Sequence, residues 1–518
     1  MKRLNFITLV WLFLLSIFVA RGEDDKDREQ LIKFNQFYSL LSKYYIDELE
    51  SEQLIERAIR SVLGELDPHS VYYNAEDMKS IRESFEGEFS GVGIEFNVID
   101  DTLRVVNTIV GAPAEKVGVM ANDRIIRIDT TSIIGITQGE VPKRLRGEKG
   151  SRVDIDVIRH GYDEPLHFSI IRDNIPINTI DAAYKLNSES GYIRVNRFAE
   201  TTMKEFREAY KGLGDVENLV VDLRGNGGGL LTQAVEMANF FLPKGLVVVT
   251  TQGDESREVR TTTNGEFLSG NVVIMIDGSS ASASEIVAGA IQDWDRGVIV
   301  GKRSFGKGLV QRQYPLADGS AVRITTSRYL TPSGRAIQRP YTKGDNAGYY
   351  SHPEDRADQN DSLKFKTLRL GRDVYSGGGI TPDIEIEGDT TKLSAIYTQF
   401  IRRGVVNKFT ISYLDRNRKE IIRTYPTFEL YNEAFDVTGE MVDSMVQIAK
   451  EQGIEVENID TLELLQESRV YIKALIAQRL FSTSAFYEII NRKDLINFSR
   501  IEKLLKNWDE QINEVWHK

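Results

Sequence analysis

The spacing of hydrophobic positions changes several times along the chain, and each change predicts a different kind of structure. Near the N-terminus, apolar residues recur at helical spacing from Phe34 to Tyr45 and from Leu54 to Leu66. After Gly87 the pattern changes to short β-type runs separated by glycines. The sequence therefore predicts an N-terminal helical element over residues 23–86 and a β-rich module over residues 87–172.

The next region alternates strands with helices. Its predicted elements are the strands Leu219–Val221, Val247–Val249, Val272–Ile276 and Val298–Val300, with helices through Ala234–Phe241 and from Ser282. This alternation predicts an α/β core over residues 173–392. Within it, Gly344 to Leu363 is rich in Asp, Asn, Ser and Gly, which predicts a surface excursion. Residues 393–518 carry long helical patterns and predict a mainly helical C-terminal region.

Composition narrows the class of protein. At 518 residues the chain is too long for one hydrophobic core, and its 41% apolar and 27% charged residues are typical of a folded multidomain protein. The net charge of −12, with no basic patch, argues against nucleic-acid binding. The absence of cysteine excludes disulfides and thiol catalysis. No metal-ligand motif or nucleotide-binding loop occurs, so we expect no metal and no cofactor.

The first residues have the pattern of an export signal. Met1 to Arg3 is basic, and the uncharged stretch Leu4–Ala20 is followed by the charged run Glu23–Arg28. Residues 1–22 are therefore predicted to be a signal peptide or an anchor, and the length of the stretch leaves cleavage and retention both open. We expect an exported protein of the periplasm or of the periplasmic face of the inner membrane, and membrane association through the N-terminus stays open.

Four serines lie where a predicted strand meets a predicted helix: Ser279, Ser280, Ser282 and Ser284. A serine at this place can simply cap the helix, because the first turn leaves backbone N–H groups without partners. The same N–H groups would also stabilise an oxyanion beside a serine nucleophile. The local pattern alone leaves capping and catalysis both open.

A serine nucleophile needs a neighbouring base. Of the five histidines, only His69 and His352 lie outside the β-rich module and the chain end, and neither belongs to a recognisable catalytic segment. Lysine is the alternative, and Lys307 has a glycine on each side. A Gly-Lys-Gly sequence also occurs in ordinary surface turns. To act as a base, this lysine has to be largely neutral, which burial and a nearby helix N-terminus would promote.

These residues match a known family. Ser280-Ala281-Ser282-Ala283-Ser284-Glu285, followed by Phe305-Gly306-Lys307-Gly308, resembles the C-terminal-processing (tail-specific) serine peptidases, which use a Ser–Lys dyad. Further matching segments are Leu66 to Ser70, Asp222 to Gly229, Thr331 to Arg335 and Gly377 to Asp383. The family separates its nucleophile from its lysine by 25 residues, which is the spacing from Ser282 to Lys307.

The resemblance implies a multidomain α/β protein with a crotonase-like ββα peptidase core. It makes Ser282 the nucleophile, Lys307 the base and Gln311 the residue that orients the lysine. The backbone amides of Ala283 and of a glycine, with Gly228 and Gly229 equally plausible, would form the oxyanion hole.

Asp293 aligns with an aspartate important in this family. It lies 11 residues beyond Ser282, which is about 16 Å along a helix. We therefore expect a structural role for it.

The resemblance also makes the β-rich module an inserted PDZ domain. Gly91, Val92, Gly93 and Ile94 stand where such domains bind a C-terminal carboxylate. Arg146 could couple this module to the peptidase, or it could be a surface charge.

The expected function is that of a serine endopeptidase acting on unfolded or C-terminally exposed proteins. A catalytically silent PDZ scaffold that binds C-terminal peptides is the alternative. A Ser-His-Asp hydrolase ranks last, because no GxSxG motif occurs. Homo-oligomerisation through the C-terminal region stays open.

Overall fold

The computed structural model describes residues 25–99, 101–109, 111–159, 161–253, 255–351, 363–386, 393–456, 460–494 and 497–516. The predicted export segment, residues 1–22, lies outside these residues, as do His160, His352 and His517. The chain forms two compact units, residues 1–66 and residues 67–518. In the first unit, α1 (Asp25–Tyr44) and α2 (Ser51–Gly64) confirm the two helices predicted from hydrophobic spacing.

The second unit begins with a short strand, β1 (Val71–Tyr73), and a helix, α3 (Ala75–Glu86). The Asn74 side chain accepts a hydrogen bond from the Asp77 amide and so caps the start of α3. The helix ends at Gly87, whose φ of +76° is a conformation that glycine adopts without strain.

The β-rich module is built on an antiparallel sheet. Its elements, in chain order, are β2 (Glu88–Gly91), β3 (Ile94–Ile99), β4 (Thr102–Thr108), α4 (Pro113–Lys116), β5 (Arg124–Ile128), β6 (Thr131–Ser132), α5 (Val141–Leu145), β7 (Arg152–Ile158), β8 (Leu166–Ile171) and β9 (Asp173–Pro176). The main sheet has the order β3-β4-β5-β7-β8, with β6 beside β5. The first strand of the module, β2, pairs with its last strand, β9, so the two ends of the module lie side by side.

Two large sheets with helices form the centre of the second unit. The elements, in chain order, are β10 (Ile180–Lys185), β11 (Ser190–Val195), α6 (Thr202–Leu213), β12 (Asn218–Asp222), α7 (Leu231–Phe241), β13 (Val247–Gln252), β14 (Ser256–Arg260), β15 (Asn271–Ile276), α8 (Ala283–Asp293), β16 (Val298–Gly301), β17 (Leu309–Pro315), β18 (Ala321–Leu330), α9 (Asn346–Ser351), β19 (Lys364–Lys366), β20 (Asp373–Tyr375) and β21 (Ile384–Glu385). The first sheet, β10-β11-β12-β15-β16-β21, is parallel from β11 onward. The second, β1-β18-β13-β14 with β17 beside β18, is antiparallel. The predicted mixed α/β architecture is confirmed.

Helices form the C-terminal region, which confirms the periodicity read from the sequence. They are α10 (Ala395–Arg402), α11 (Val405–Thr424), α12 (Phe428–Ala434), α13 (Gly439–Glu451), α14 (Thr461–Leu480), α15 (Thr483–Lys493), α16 (Asn497–Lys506) and α17 (Trp508–Trp516). Helices α10 to α15 share an apolar core of their own. Among the described residues, no helix has both the length and the hydrophobicity needed to cross a bilayer.

The parallel strands are apolar on both faces because both faces are covered. Along β12, Leu219 and Val221 belong to a core shared with α6, α7 and α8, whereas Val220 belongs to a second core. That second core includes Phe498 of α16 and Ile512 of α17. Helices α16 and α17 therefore cover the face of the sheet that α6, α7 and α8 leave open.

The surface excursion predicted for Gly344 to Leu363 has exposed residues in its described part, such as Asp345 and Tyr350, but one of its residues is buried. Tyr349, in α9, is only 6% exposed and packs against Phe305 and Arg339. Burial of the Tyr349 ring anchors the segment to the core at this residue, although the neighbouring residues in the sequence are polar.

A buried ion pair fixes the end of α8. Asp293 Oδ1 lies 2.8 Å from Arg335 Nη2, and both side chains are fully buried. The other oxygen, Asp293 Oδ2, accepts from the Ser333 amide at 2.9 Å, and Arg335 Nη2 also donates to Gln292 Oε1 at 2.6 Å. These contacts tie the helix to the turn after β18, which is the structural role expected for Asp293.

We predict that Asp293→Asn lowers the free energy of unfolding by about 3–5 kcal/mol, because it leaves a buried guanidinium without its counter-charge. The shift of the urea unfolding midpoint measures this effect. Glu258→Gln is the control: Glu258 and Arg260 form a pair in which both side chains are about half exposed, and its loss should cost no more than about 0.5 kcal/mol. Equal destabilisation by the two variants would contradict the structural role of Asp293.

Candidate active site

The turn between β15 and α8 presents Ser282 to a cavity. The hydroxyls of Ser280 and Ser284 are buried and donate to the carbonyl oxygens of Leu223 at 2.8 Å and Asn226 at 2.9 Å. Ser282 instead lines a cavity of about 530 Å³. Its φ of +55° is a strained conformation for a residue other than glycine. Ser280 and Ser284 thus hold the turn together, whereas Ser282, the N-cap residue of α8, lines the cavity.

A buried carboxylate joins this turn to the loop that carries Lys307. Oε2 of Glu285 accepts from the amides of Ser282 at 2.8 Å and of Lys307 at 2.9 Å. Oε1 accepts from the Gly306 amide at 2.7 Å and from the Ser304 hydroxyl at 2.6 Å. Burial raises the pKa of this carboxyl group, and these hydrogen bonds oppose the rise. One carboxylate therefore fixes the backbone of both candidate catalytic residues.

Lys307 borders the same cavity as Ser282. Burial lowers the pKa of its amine to about 8, the positive charge of Arg323 lowers it further, and the carboxylates of Glu285 and Asp67 oppose the shift. At this pKa a minority of the amine is neutral near physiological pH, which is far more than at the ordinary value of a lysine, and the neutral form is the one that can act as a general base. Within the described part of the chain, no hydrogen bond joins Lys307 Nζ to Ser282 Oγ, so the two groups share a cavity without direct contact of this kind.

Tyr329 of β18 supports the same two residues. Its hydroxyl donates to the carbonyl oxygen of Lys307 and lies 3.3 Å from the carbonyl oxygen of Ser282. Burial raises the pKa of this phenol far above its ordinary value, so it remains a neutral donor. The sequence analysis assigned no role to Tyr329 or to Glu285. The Ser-x-x-Glu pattern of Ser282 and Glu285, typical of a helix start, was the available signal for the glutamate.

Gln311 of β17 lines the cavity but bonds to other groups than the lysine. Its Nε2 donates to the Leu309 carbonyl at 3.1 Å and to the Thr325 hydroxyl at 3.2 Å. That hydroxyl in turn donates to Asp67 at 2.9 Å. Between Gln311 and Lys307, both of them described residues, there is no hydrogen bond. The role of Gln311 in orienting Lys307 therefore stays a prediction.

The glycine-rich loop after β12 passes close to the turn that carries Ser282. A Cβ on Gly228 would lie 2.9 Å from Ser282 Cβ and 2.8 Å from the Ala281 carbonyl oxygen, so only glycine permits this approach. The Gly228 amide already donates to Asn226 Oδ1 at 2.8 Å. The amides of Gly229 and Ala283, by contrast, have no acceptor among the described residues.

His69 lies near Lys307 but cannot serve as a charged partner. Burial and the charge of Lys307 lower its pKa to about 3. Its Nε2 lies 3.3 Å from the Tyr349 hydroxyl, and it lines a second cavity together with Lys307. His167 hydrogen-bonds to Asp156 within the β-rich module. No histidine in the described ranges hydrogen-bonds to Ser282, and His352 lies outside them.

The predicted carboxylate-binding loop, Gly91 to Ile94, leads into β3, an edge strand of its sheet. A Cβ on Gly93 would lie 2.3 Å from Ala112 Cβ, and its φ is +78°, so the loop requires glycine there. The Val92 and Gly93 amides donate to no acceptor in the part of the chain that is described. This loop therefore has two amides free for a ligand.

Arg146 has partners and is not a free surface charge. It donates to Glu83 at 2.6 Å, and its guanidinium lies 4.5 Å from the centre of the Phe89 ring. These contacts link the end of α5 in the module to helix α3.

Three protein-family models match parts of this chain. Residues 189–346 match the model of peptidase family S41, residues 17–77 match the activating protease CtpB N-terminal domain, and residues 396–482 match a family of unknown function. The first of these matches contains Ser282, Lys307 and Gln311.

Several individual proteins that are similar to this chain are named as C-terminal processing proteases. The carboxy-terminal-processing protease of Bartonella bacilliformis is 38% identical over 62% of this chain and 75% of its own length. The carboxy-terminal processing protease CtpB of Bacillus subtilis is 35% identical over 62% of this chain and 68% of its own length. The solved structure of a photosystem II D1 C-terminal processing protease is 26% identical, covers 69% of this chain and 88% of that one, and has a TM-score of 0.36. From its sequence relatives, the chain belongs to the carboxy-terminal-processing proteases of peptidase family S41 and is a serine-type peptidase.

Proposed function

We propose that this peptidase hydrolyses peptide bonds within proteins through an acyl-enzyme, with Ser282 as nucleophile and Lys307 as general base. The observation that carries this proposal is the pair of hydrogen bonds to Glu285 Oε2, from the Ser282 amide and from the Lys307 amide. They hold the hydroxyl and the amine at one cavity. The lowered pKa of Lys307 supports the role of its amine as a base.

The steps follow from this arrangement. Lys307 Nζ takes the proton of Ser282 Oγ as the oxygen attacks the carbonyl carbon of the scissile bond. The resulting ammonium gives that proton to the leaving amine, and water then hydrolyses the acyl-enzyme by the same route. The resting structure lacks the Ser282–Lys307 hydrogen bond, and catalytic hydrogen bonds of this kind often shorten only when substrate binds.

The oxyanion of the tetrahedral intermediate would be held by the Ala283 and Gly229 amides. Gly229 is preferred over Gly228 because the Gly228 amide is bonded to Asn226. Gly228 instead lets the glycine-rich loop approach Ser282 closely, because it has no Cβ. Both donors are backbone amides of ordered segments, so they require little rearrangement as charge develops.

The β-rich module is proposed to be a PDZ domain that recognises the C-termini of unfolded or C-terminally exposed proteins. Its free Val92 and Gly93 amides would bind the terminal carboxylate, and the peptide would pair with β3. Farther along this edge, the Gln138 side chain accepts a hydrogen bond from the Val98 amide at 2.9 Å and donates one to the Phe96 carbonyl oxygen at 3.4 Å. A longer peptide would have to displace this side chain.

The finer assignments of fold and location are also part of the proposal. The peptidase core would be crotonase-like, with the parallel sheet and α6 to α8 as its repeating units. The basic Met1–Arg3 and uncharged Leu4–Ala20 support export to the periplasm, and their retention would attach the protein to the inner membrane. The C-terminal region lines neither of the two cavities beside Lys307, which leaves it available for self-association.

The central test is replacement of the dyad. Ser282→Ala and Lys307→Ala should each lower the hydrolysis of an unfolded protein at least about 10³-fold, because each removes a group that acts in every turnover. Lys302→Ala is the matched control, since Lys302 is an exposed lysine of the same loop, and its activity should equal that of the wild type. Unchanged hydrolysis by a folded Lys307→Ala variant would eliminate the lysine as base.

The pH dependence gives a second test. Lys307 acts in its neutral form, so kcat/KM should rise with pH through about 8 and then level off. Arg323→Gln should move this rise to higher pH, because removal of a positive neighbour favours the ammonium form of Lys307. Arg328→Gln, at an exposed arginine of the same strand, should leave it in place. A profile that is identical in all three proteins would contradict the assignment.

Peptide binding tests the module in the intact Ser282→Ala protein. A peptide with an apolar C-terminal residue should bind at least about tenfold more tightly as the free acid than as the amide. Ile94→Glu should remove this preference by placing a carboxylate beside the loop, whereas Ile134→Glu, at a position 67% exposed, should not. Fluorescence anisotropy measures both affinities. Equal binding of acid and amide would count against a carboxylate-binding loop.

A further inference from the structure

A second cavity adjoins the catalytic one. It has a volume of about 610 Å³, and Lys307 and Gly227 border both cavities. His69, Arg339 and Tyr350 form much of its remaining wall, and none of the residues that line it is Asp or Glu. A peptide that reaches Ser282 through the first cavity would therefore meet a positively charged space beyond Lys307.

Arg339 is the permanent charge of this wall, and no carboxylate of the described residues pairs with it. Its side chain is 2% exposed and lies between two aromatic rings, with its Cζ 4.1 Å from the centre of Phe305 and 3.9 Å from that of Tyr349. Nη2 donates to the Tyr349 carbonyl oxygen. Nε and Nη1 have no acceptor in the described ranges.

A buried guanidinium without a counter-charge is costly, and contacts with ring faces offset only part of that cost. His69 supplies no compensation, because an imidazole is either neutral or positively charged, and the low pKa of this one keeps it neutral. An anion inside the cavity would provide the missing charge. Carboxylate is the anion that a peptide substrate carries, and it is also the group that arginine binds most specifically.

We propose that this cavity binds a carboxylate of the substrate, so that Arg339 favours scissile bonds followed within a few residues by a negative charge. The carboxylate is either the α-carboxylate of a short C-terminal tail or the side chain of Asp or Glu at the same distance. Phe305 and Tyr350 provide apolar surface for the residue that carries it. This inference rests on the proposed Ser282–Lys307 site and adds a selectivity that the PDZ module does not supply.

The test compares peptides that share one scissile bond and differ in the residues on its C-terminal side. Tails of one to four residues are prepared as free acids and as amides, and amidated tails with Asp or Asn at each position form a second series. For one tail length, the wild type should cleave the charged member about 10–100-fold faster by kcat/KM, the range of a charge-assisted hydrogen bond. A preference in the first series identifies the α-carboxylate, and one in the second series identifies an acidic side chain.

Variants assign the preference to this cavity. Arg339→Gln should bring the ratio of charged to neutral substrate close to one, and Arg339→Lys should retain part of it. Arg312→Gln, at an exposed arginine of β17, should leave both rates unchanged. Ile94→Glu should leave the short-tail ratio unchanged, because that variant disables the module alone.

The outcomes distinguish this inference from the proposed function. Loss of all cleavage in Ser282→Ala together with equal rates for charged and neutral tails in the wild type would overturn the carboxylate site and leave the dyad intact. A preference that persists in Arg339→Gln and disappears in Ile94→Glu would assign it to the module and also overturn the proposal. If Arg339→Gln does not fold, the wild-type comparison and Arg339→Lys still decide.

Discussion

Two amides from separate loops donate to one buried oxygen, Oε2 of Glu285, and the geometry of the catalytic site depends on this interaction. The loops meet because β15 and β16 are parallel neighbours, with Ile276 opposite Gly301, and the segments after parallel strands emerge at the same edge of the sheet. The sheet brings the loops together only approximately. The carboxylate sets their final separation, because the desolvation cost of its burial is recovered only when all four of its donors are in place.

The same site combines a lowered lysine pKa with a positive surrounding. Arg323 lines the catalytic cavity and Arg339 the adjacent one, and no acidic residue of the described chain lines either. In a chain with a net charge of −12, this is a local reversal of sign. Positive charge near Lys307 disfavours the ammonium form, and the same field attracts the negatively charged end of a peptide. In the proposed mechanism, one arrangement of charges would thus serve both Lys307 as the base and the approach of the peptide.

The sequence was sufficient for the elements that have strong periodicity. The resemblance also selected Ser282 and Lys307, two residues that the fold brings to one cavity. The strands Val272–Ile276 and Val298–Val300 were recognisable as apolar runs, and they correspond to β15 and β16. Residues whose role depends on tertiary contacts were not recognisable. Tyr329 has a function only because β18 passes behind both loops. The distinction between Gly228 and Gly229 required the position of the Asn226 side chain, which no local pattern specifies.

The last two C-terminal helices pack against the peptidase core, although the described C-terminal residues line neither cavity beside Lys307. They cover the second face of the parallel sheet, where Phe498 and Ile512 share a core with Val220 of β12. At the end of β12, burial alone would raise the pKa of Asp222, but Arg224 and Arg194 outweigh it and hold the pKa at about 2. Arg224 also lies over the Phe498 ring at 5.9 Å. Because β12 leads directly into the glycine-rich loop beside Ser282, the Asp222–Arg224 pair connects the start of that loop to the C-terminal region. The position of the proposed oxyanion donors therefore depends on helices that lie on the opposite side of the sheet from α8.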